Sequence, residues 1–399
     1  MSLPTIAMVL YGNPDYYPPT FNAVSLLAQK FAVQVIGRNQ DPPHRLYPAN
    51  VAVHRFGEYT SVREREQWSA IQKLWEYGRF VQYLASWLGS ARLVYAYDGF
   101  AFNAVLAAQR LRGPSVPVIY HSHETDGEMA SWRSLTGWMQ RLECRTVAAA
   151  AAVVFPEKNR AIRFQQRAVP TMPTPYIVPN FPLRSVFRFD LDWETCWRER
   201  WQSPTVLYCG TISDGSAMKE SIAAVASLPS AVQLRFVGFA SESVQAACRA
   251  EANRWDVEDR FAYLGWRAYD ELQDLILQAS VGLALYKGTS FGALACTTAS
   301  NKIYEYAACG VPTIVSDFPN HREFLASEPW VRFADPNDPQ AIAAAIAEIF
   351  QDFEAYRAMA LAARHAFETK FNYETAFAPV ADLISRLVEP QAGNAVPKL

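Results

Sequence analysis

Ser300-Asn301-Lys302-Ile303-Tyr304-Glu305-Tyr306-Ala307-Ala308-Cys309-Gly310-Val311-Pro312 reads as one helix with both ends marked. Ser300 is of the residue type that caps helix N-termini. Gly310 suits the left-handed position just past the last turn, and Pro312 stops the chain from continuing as helix. The first turn leaves backbone N–H groups unbonded at the positive end of the helix dipole. Such a turn is a ready anion site, and Lys302 adds a charge to it. Glu305 stands one turn further in, on the face of Asn301 and Lys302. A carboxylate there can accept two hydroxyl hydrogen bonds from a vicinal diol such as a ribose. Phosphate at the helix tip and ribose one turn along is the outline of a nucleoside diphosphate. The competing reading makes Lys302 and Glu305 a surface i,i+3 ion pair, worth about 0.2–0.5 kcal/mol.

Outward from this helix the chain alternates strands and helices. Residues 313–316 form a strand directly after Pro312. Upstream, 205–209, 234–237 (closing at Gly238), a short strand ending at 264–266, and 281–286 (closing at Tyr286) belong to the same series, with 331–334 as a late edge strand. An earlier series runs through 5–11, 32–36, 51–56, 92–97 and 116–120. Continuous apolar runs bounded by turn residues suit parallel strands covered on both faces. Repeated strand–helix–strand units argue for doubly wound α/β sheets. The pattern breaks over 181–203, where proline and charges show no clean period. Two Rossmann-like domains are therefore expected, at 1–180 and 204–370, joined by a linker at 181–203. Ligands of such sheets sit beyond the carboxyl ends of the strands, so a cleft between two facing sheets is the expected site.

Composition narrows the class. Half of the 399 residues are hydrophobic (50%) and only 19% are charged, enough apolar material for large cores. Lys and Arg total 37 against 39 Asp and Glu, so a chain-wide cationic footprint for nucleic acid is missing. No apolar run approaches the roughly 18–20 residues that cross a bilayer. The first residues lack a basic region followed by a cleavage site, so a cytoplasmic protein without a leader is expected. The cysteines at 144, 196, 209, 248, 296 and 309 form no CxxC pair and are expected to be reduced and mostly buried.

The segment NKIYEYAACGVPTIVSD resembles the donor-binding segment of retaining glycosyltransferases with the GT-B fold, family 4-like, in residue types and in Gly-x-Pro-to-strand spacing together. Weaker agreement extends over nearly the whole chain, including Val178-Pro179-Asn180 and the loop that opens the second domain. The resemblance implies two domains facing a cleft, with the nucleotide-sugar on the second and the acceptor on the first. It implies that the final segment, 371–399, is a helix packing back on the first domain, with a tail. It implies that Glu305 holds the nucleotide ribose and that amides near Ser300 and Asn301 meet the diphosphate. Many members carry E-x7-E, but the position eight before Glu305 is Thr297.

Other candidates follow from strand ends. The loop from Tyr208 to Lys219 carries Gly210 and Thr211, where a backbone can approach phosphate closely. Relatives place a basic residue where this chain has Ser216, and Lys219 three residues on is the candidate substitute; a turn with an exposed lysine is the alternative. Gly12 and Asn13 follow the first strand, where the family has its first-loop glycine. His121-Ser122-His123-Glu124 ends a first-domain strand. Two histidines are too few for a metal. The resemblance assigns His123, with Glu124, to the reacting centre, and a structural capping histidine is the other reading. Asp98 either lines an acceptor pocket or caps the helix that follows. Asp190-Leu191-Asp192 is taken as a chance match to a metal motif. Trp68, Trp75, Trp87, Trp132 and Trp138 either pack in the core or touch membranes that carry lipid-linked acceptors.

The expected activity is metal- and cofactor-independent retaining transfer of a sugar, a hexose by the resemblance, from a nucleoside diphosphate sugar to a sugar or lipid-linked acceptor. Its setting would be cell-surface polysaccharide or glycoconjugate synthesis, in the cytoplasm or on the inner face of the membrane. A nucleotide-sugar 2-epimerase of the same fold and a non-catalytic nucleotide-sugar binder are the alternatives.

Overall fold

A computed structural model of the chain describes residues 3–40, 45–112, 115–124, 128–187 and 189–389. It divides into two compact units: one runs to Pro179 and resumes at Ala376, and the other is Asn180–Thr375.

The first unit is built on seven parallel strands. They are β1 (Thr5–Leu10), β2 (Ala32–Gln40), β3 (Val51–Thr60), β4 (Leu93–Tyr97), β5 (Val118–His121), β6 (Ala152–Phe155) and β7 (Pro175–Ile177), in the order β3-β2-β1-β4-β5-β6-β7. Strand order reverses between β1 and β4, so the loops after these two strands diverge and leave room for a ligand. Gly12 and Asn13 follow β1, and Asp98 follows β4. Strand β6 lies in the alanine-rich run before Pro156. A four-residue apolar stretch of that kind carries no period that separates strand from helix. The final helix, Tyr373–Val388, brings Phe377 to 6.3 Å from Tyr95 of β4, both within this unit.

The second unit holds six parallel strands: β8 (Thr205–Cys209), β9 (Gln233–Val237), β10 (Phe261–Tyr263), β11 (Val281–Ala284), β12 (Thr313–Ser316) and β13 (Val331–Ala334), in the order β10-β9-β8-β11-β12-β13. Here the reversal falls between β8 and β11. The helix Asn301–Ala308 packs under both strands through Tyr306. The Tyr306 hydroxyl accepts from the Cys209 amide at 2.9 Å and donates to the Leu207 carbonyl at 3.0 Å. A β-carbon at Gly282 of β11 would lie 2.3 Å from the Tyr306 ring, so glycine there is what lets the side chain through.

Residues 181–203 are more ordered than the linker reading supposes. A helix of 10 residues, Trp193–Gln202, occupies its second part. Asp192 caps it, accepting from the Glu194 and Thr195 amides, which accounts for the Asp-x-Asp match without a metal. Arg200 of this helix is buried and donates to the carbonyls of Leu277, Cys309 and Gly310 at 2.7, 3.0 and 3.0 Å. It thereby satisfies the C-terminal end of the Asn301 helix, whose Gly310 has φ +59°. Trp193, Trp197 and Trp201 recur every fourth residue and were the missed helical signal.

Core packing is one of the two expectations for Trp68, Trp75, Trp87, Trp132 and Trp138. The helix Ala70–Trp87 instead buries Glu76, Tyr77, Phe80, Val81 and Leu84. Ile71 is 81% and Trp75 72% exposed, so core packing fails for Trp75, as it does for exposed Trp132 and Trp138. All six cysteines are free, and all but Cys196 are buried. Among the described residues no helix is long and apolar enough to cross a membrane.

Candidate active site

In the second unit, Gly210 follows β8 and Gly238 follows β9, with φ of +124° and +134°. The two backbones touch: a β-carbon at Gly238 would stand 1.9 Å from the Gly210 carbonyl oxygen. Only glycine fits, and the close approach leaves the Gly210 loop without side-chain cover. Over that loop sits Lys302. A β-carbon at Gly210 would be 3.3 Å from its Nζ. The ammonium also lies 3.8 Å from the ring centre of Tyr208 and 4.8 Å from that of Tyr286. Lys302 is buried, which works against its charge, but the two tyrosines outweigh burial and hold its pKa above the ordinary lysine value. It therefore carries a full positive charge at neutral pH.

Ser300 does not cap the helix with its side chain, as its residue type led us to expect. Its hydroxyl is taken by Tyr286, 2.8 Å away, while its amide donates to the Cys296 carbonyl. Burial pushes the Tyr286 phenol up to about 12, against the pull of Lys302. The loop before the helix is fixed by Asn180, whose amide donates to the Thr298 carbonyl and whose Nδ2 donates to the Ala299 carbonyl, at 2.8 and 2.9 Å. Thr297 Oγ1 and Asn301 Oδ1 are buried there with no hydrogen-bond partner. Buried orphan acceptors and hydroxyls at a helix entrance mark a place where a bound group completes the bonding.

Glu305 is buried in the second turn, so the surface ion-pair reading fails. Its Oε1 accepts from the Tyr269 hydroxyl at 2.9 Å. Tyr269 lies in the helix Tyr269–Leu277, remote in sequence, and no local pattern announced it. Ser216 turns inward: its Oγ donates to the Ser213 carbonyl and accepts from the Ser213 amide. That bonding lets Ala217 take φ +50° at the entrance to the helix Met218–Ala226. Thr211 and Lys219 are exposed, and the buried cation beside the glycines is Lys302. Lys287, which sequence reasoning passed over, pairs with Glu220 at 2.7 Å and holds the same loop through its amide to Gly215.

In the first unit a cavity of about 530 Å³ opens at the β1/β4 reversal, lined by Tyr11, Gly12, Asn13, Tyr17, Tyr97, Asp98 and others. Asn13 is buried, and its Oδ1 accepts from the Asp15 amide at 3.0 Å. Asp98 has φ +59°, and its Oδ1 reaches across to the His123 amide at 2.7 Å instead of capping its own helix. Burial pushes its carboxyl up to about 7, with the His123 amide pulling the other way. His123 is buried, its ring stacked between Tyr17 at 4.5 Å and Tyr97 at 4.6 Å, with Thr20 Oγ1 2.9 Å from Nε2. Burial, then Arg160, pulls its pKa down to about 3, so it is a neutral ring. Glu124 is exposed and pairs with Arg160 at 3.2 Å. His121 is also buried, with Nδ1 2.9 Å from the Tyr95 hydroxyl. The His123 ring thus braces Tyr17 and Tyr97, two tyrosines that line the cavity, a role no local motif revealed.

Residues 203–352, most of the second unit, match the family model described as Glycosyl transferases group 1, so the chain carries a glycosyltransferase domain of that group. No curated protein matches the sequence. Among solved structures, the chain is similar to a sucrose-phosphate synthase from Thermosynechococcus elongatus (17% identity, TM-score 0.72, covering 96% of this chain and 99% of that one). It is similar to HepE of Anabaena, solved in complex with UDP and glucose (16%, TM-score 0.68, 96% and 99%). It is similar to a glycosyltransferase from Rickettsia africae (10%, TM-score 0.73, 98% and 100%). At these identities the likeness is one of fold, and the fold is GT-B.

Proposed function

We propose that this chain is a glycosyltransferase that takes its sugar from a nucleoside diphosphate sugar, UDP-linked in the first instance, and passes it to an acceptor held by the first unit. One observation carries the reading: Lys302, buried and charged, is held over the bare Gly210 loop at the mouth of the Asn301 helix, with Glu305 one turn behind it. The diphosphate lies against the first-turn amides of that helix, Lys302 and the Gly210-Thr211 backbone. The ribose lies on Glu305, with Tyr269 fixing the carboxylate. HepE, a structural neighbour, was solved with UDP and with UDP-glucose, which favours uridine as the base.

As the glycosidic bond breaks, charge gathers on the leaving diphosphate. Donors already aimed at it stabilise that charge without reorganising. We assign attack on the face the diphosphate leaves, with retention of configuration, as the resemblance to retaining enzymes implies. Thr297 replaces the acidic residue that often touches the donor sugar, and its unpartnered Oγ1 takes over that contact as a hydroxyl. An epimerase would need acid–base groups around the sugar. The stacked, neutral His123 and the ion-paired Glu124 are poor candidates for that work.

A thermal-shift series against UDP, GDP, ADP and dTDP tests the donor assignment, because a ligand that binds only the folded state raises the melting temperature. UDP is expected to give the largest rise. No shift with any of the four would end the donor reading. Incubation with UDP-sugar and no acceptor should leave the donor unepimerised.

A further inference from the structure

Arg38, near the end of β2, is 2% exposed, and its Nε and Nη1 have no hydrogen-bond partner. Among the described residues its only ion-pair contact is Nη2 to Glu76 Oε1 at 3.7 Å, too long for a charge-assisted hydrogen bond. The same carboxylate is already engaged by Arg79 at 3.0 Å. Arg65 adds a third guanidinium, 4.6 Å from the ring centre of Tyr11, while Arg38 lies 5.0 Å from that ring. Trp68 and Phe56 also flank Arg38, at 5.6 and 6.0 Å. Among the described residues, three arginines therefore share one glutamate in a site walled by aromatic rings. Burying a guanidinium with two donor atoms unmet is costly unless a further partner completes it. Burial, and then the charge of Arg38, lowers the pKa of Arg65, against the pull of Tyr11 and Glu76.

Tyr11 connects this cluster to the cavity. It lines the cavity with Val62, from the short helix that carries Arg65, and with Gln40, two residues beyond Arg38. We infer that Arg38 and Arg65, against Tyr11, form an anion-binding subsite of this cavity, and that its occupant bears a phosphate or a carboxylate. A guanidinium matches either group with paired N–H donors, and neither a neutral sugar nor an apolar chain would compensate the charge. The inference rests on the proposed function only in calling that occupant the acceptor.

Calorimetric titration of the full chain with glucose 6-phosphate, glucuronate and glucose tests it, with UDP titrated in parallel. One or both anionic sugars should bind at least tenfold more tightly than glucose, and the comparison between them separates phosphate from carboxylate. Arg65→Gln, at a partly exposed position, should weaken the anionic sugar at least tenfold and leave the UDP Kd unchanged. Arg38→Gln should do the same if it folds, and Arg65→Gln decides the matter if it does not. Equal binding of all three sugars, absence of binding by all of them, or an Arg65→Gln chain that binds the anion as the parent does would overturn the inference. Failure of UDP alone would instead count against the donor site.

Discussion

The Lys302 ammonium and the α-carbon of Gly210 face one another so closely that a β-carbon on the glycine would come within 3.3 Å of Nζ. Two tyrosine rings hold this buried cation over a bare backbone loop, where an anion would meet it. Lys302→Met keeps the alkyl packing and removes the charge. It should lower the melting temperature of the unliganded chain by a few degrees at neutral pH, because Tyr208 and Tyr286 hold the charged form more favourably than the unfolded chain does. UDP affinity should fall about 10- to 100-fold, the loss of a hydrogen bond to a charged group. A drop in stability with unchanged UDP binding would make the lysine a structural residue.

Gly238→Ala forces a methyl into the Gly210 carbonyl and a side chain into a left-handed backbone. We expect a loss of at least about 2 kcal/mol in urea unfolding, with UDP binding lost alongside. Gly292→Ala is the control. Its β-carbon meets nothing nearer than Ser290 Oγ at 4.0 Å, so it should stay within about 0.5 kcal/mol of the parent.

Glu305→Gln retains an oxygen for Tyr269 but loses the charged acceptor assigned to the ribose diol. UDP affinity should fall about tenfold or more. The parent should also discriminate against 2′-deoxy-UDP more strongly than the variant does. Identical discrimination in both would move the ribose away from Glu305.

Asp98 sets a pH dependence with a definite sign. Its carboxyl is raised from the ordinary range to about 7 in the folded chain. Between about pH 4 and 7 the folded state therefore holds a proton that the unfolded state has released. The stability associated with neutral Asp98 is complete below the unfolded value and is lost as pH rises through 7. Asp98→Asn keeps an oxygen for the His123 amide and cannot titrate. Its melting temperature relative to the parent should rise by at least about 3 °C between pH 5 and pH 8. Taking the difference cancels the opposite contribution of His123, present in both chains. A flat difference would show that the Asp98 carboxyl ionises normally.

Much of this protein was written in local pattern. The apolar runs of β1, β4, β8, β11 and β12, with the turn residues behind them, marked two parallel sheets, because a strand covered on both faces has to be apolar throughout. The 300–312 segment carried its own start, stop and chemistry within one helix, where residues one turn apart share a face whatever else the chain does. What lay beyond that reach came from contacts distant in sequence. Arg200 caps a helix about a hundred residues away, Tyr269 finds Glu305, and Asn180 pins the loop at Thr298. Tyr17 and Tyr97 close on His123. Ser300, legible as a cap, was claimed by Tyr286 instead. Three arginines from separate elements gathered around one glutamate. Backbone periodicity is a property of neighbours along the chain, whereas burial, charge compensation and hydrogen-bond partnership depend on which distant elements the packed sheets bring together.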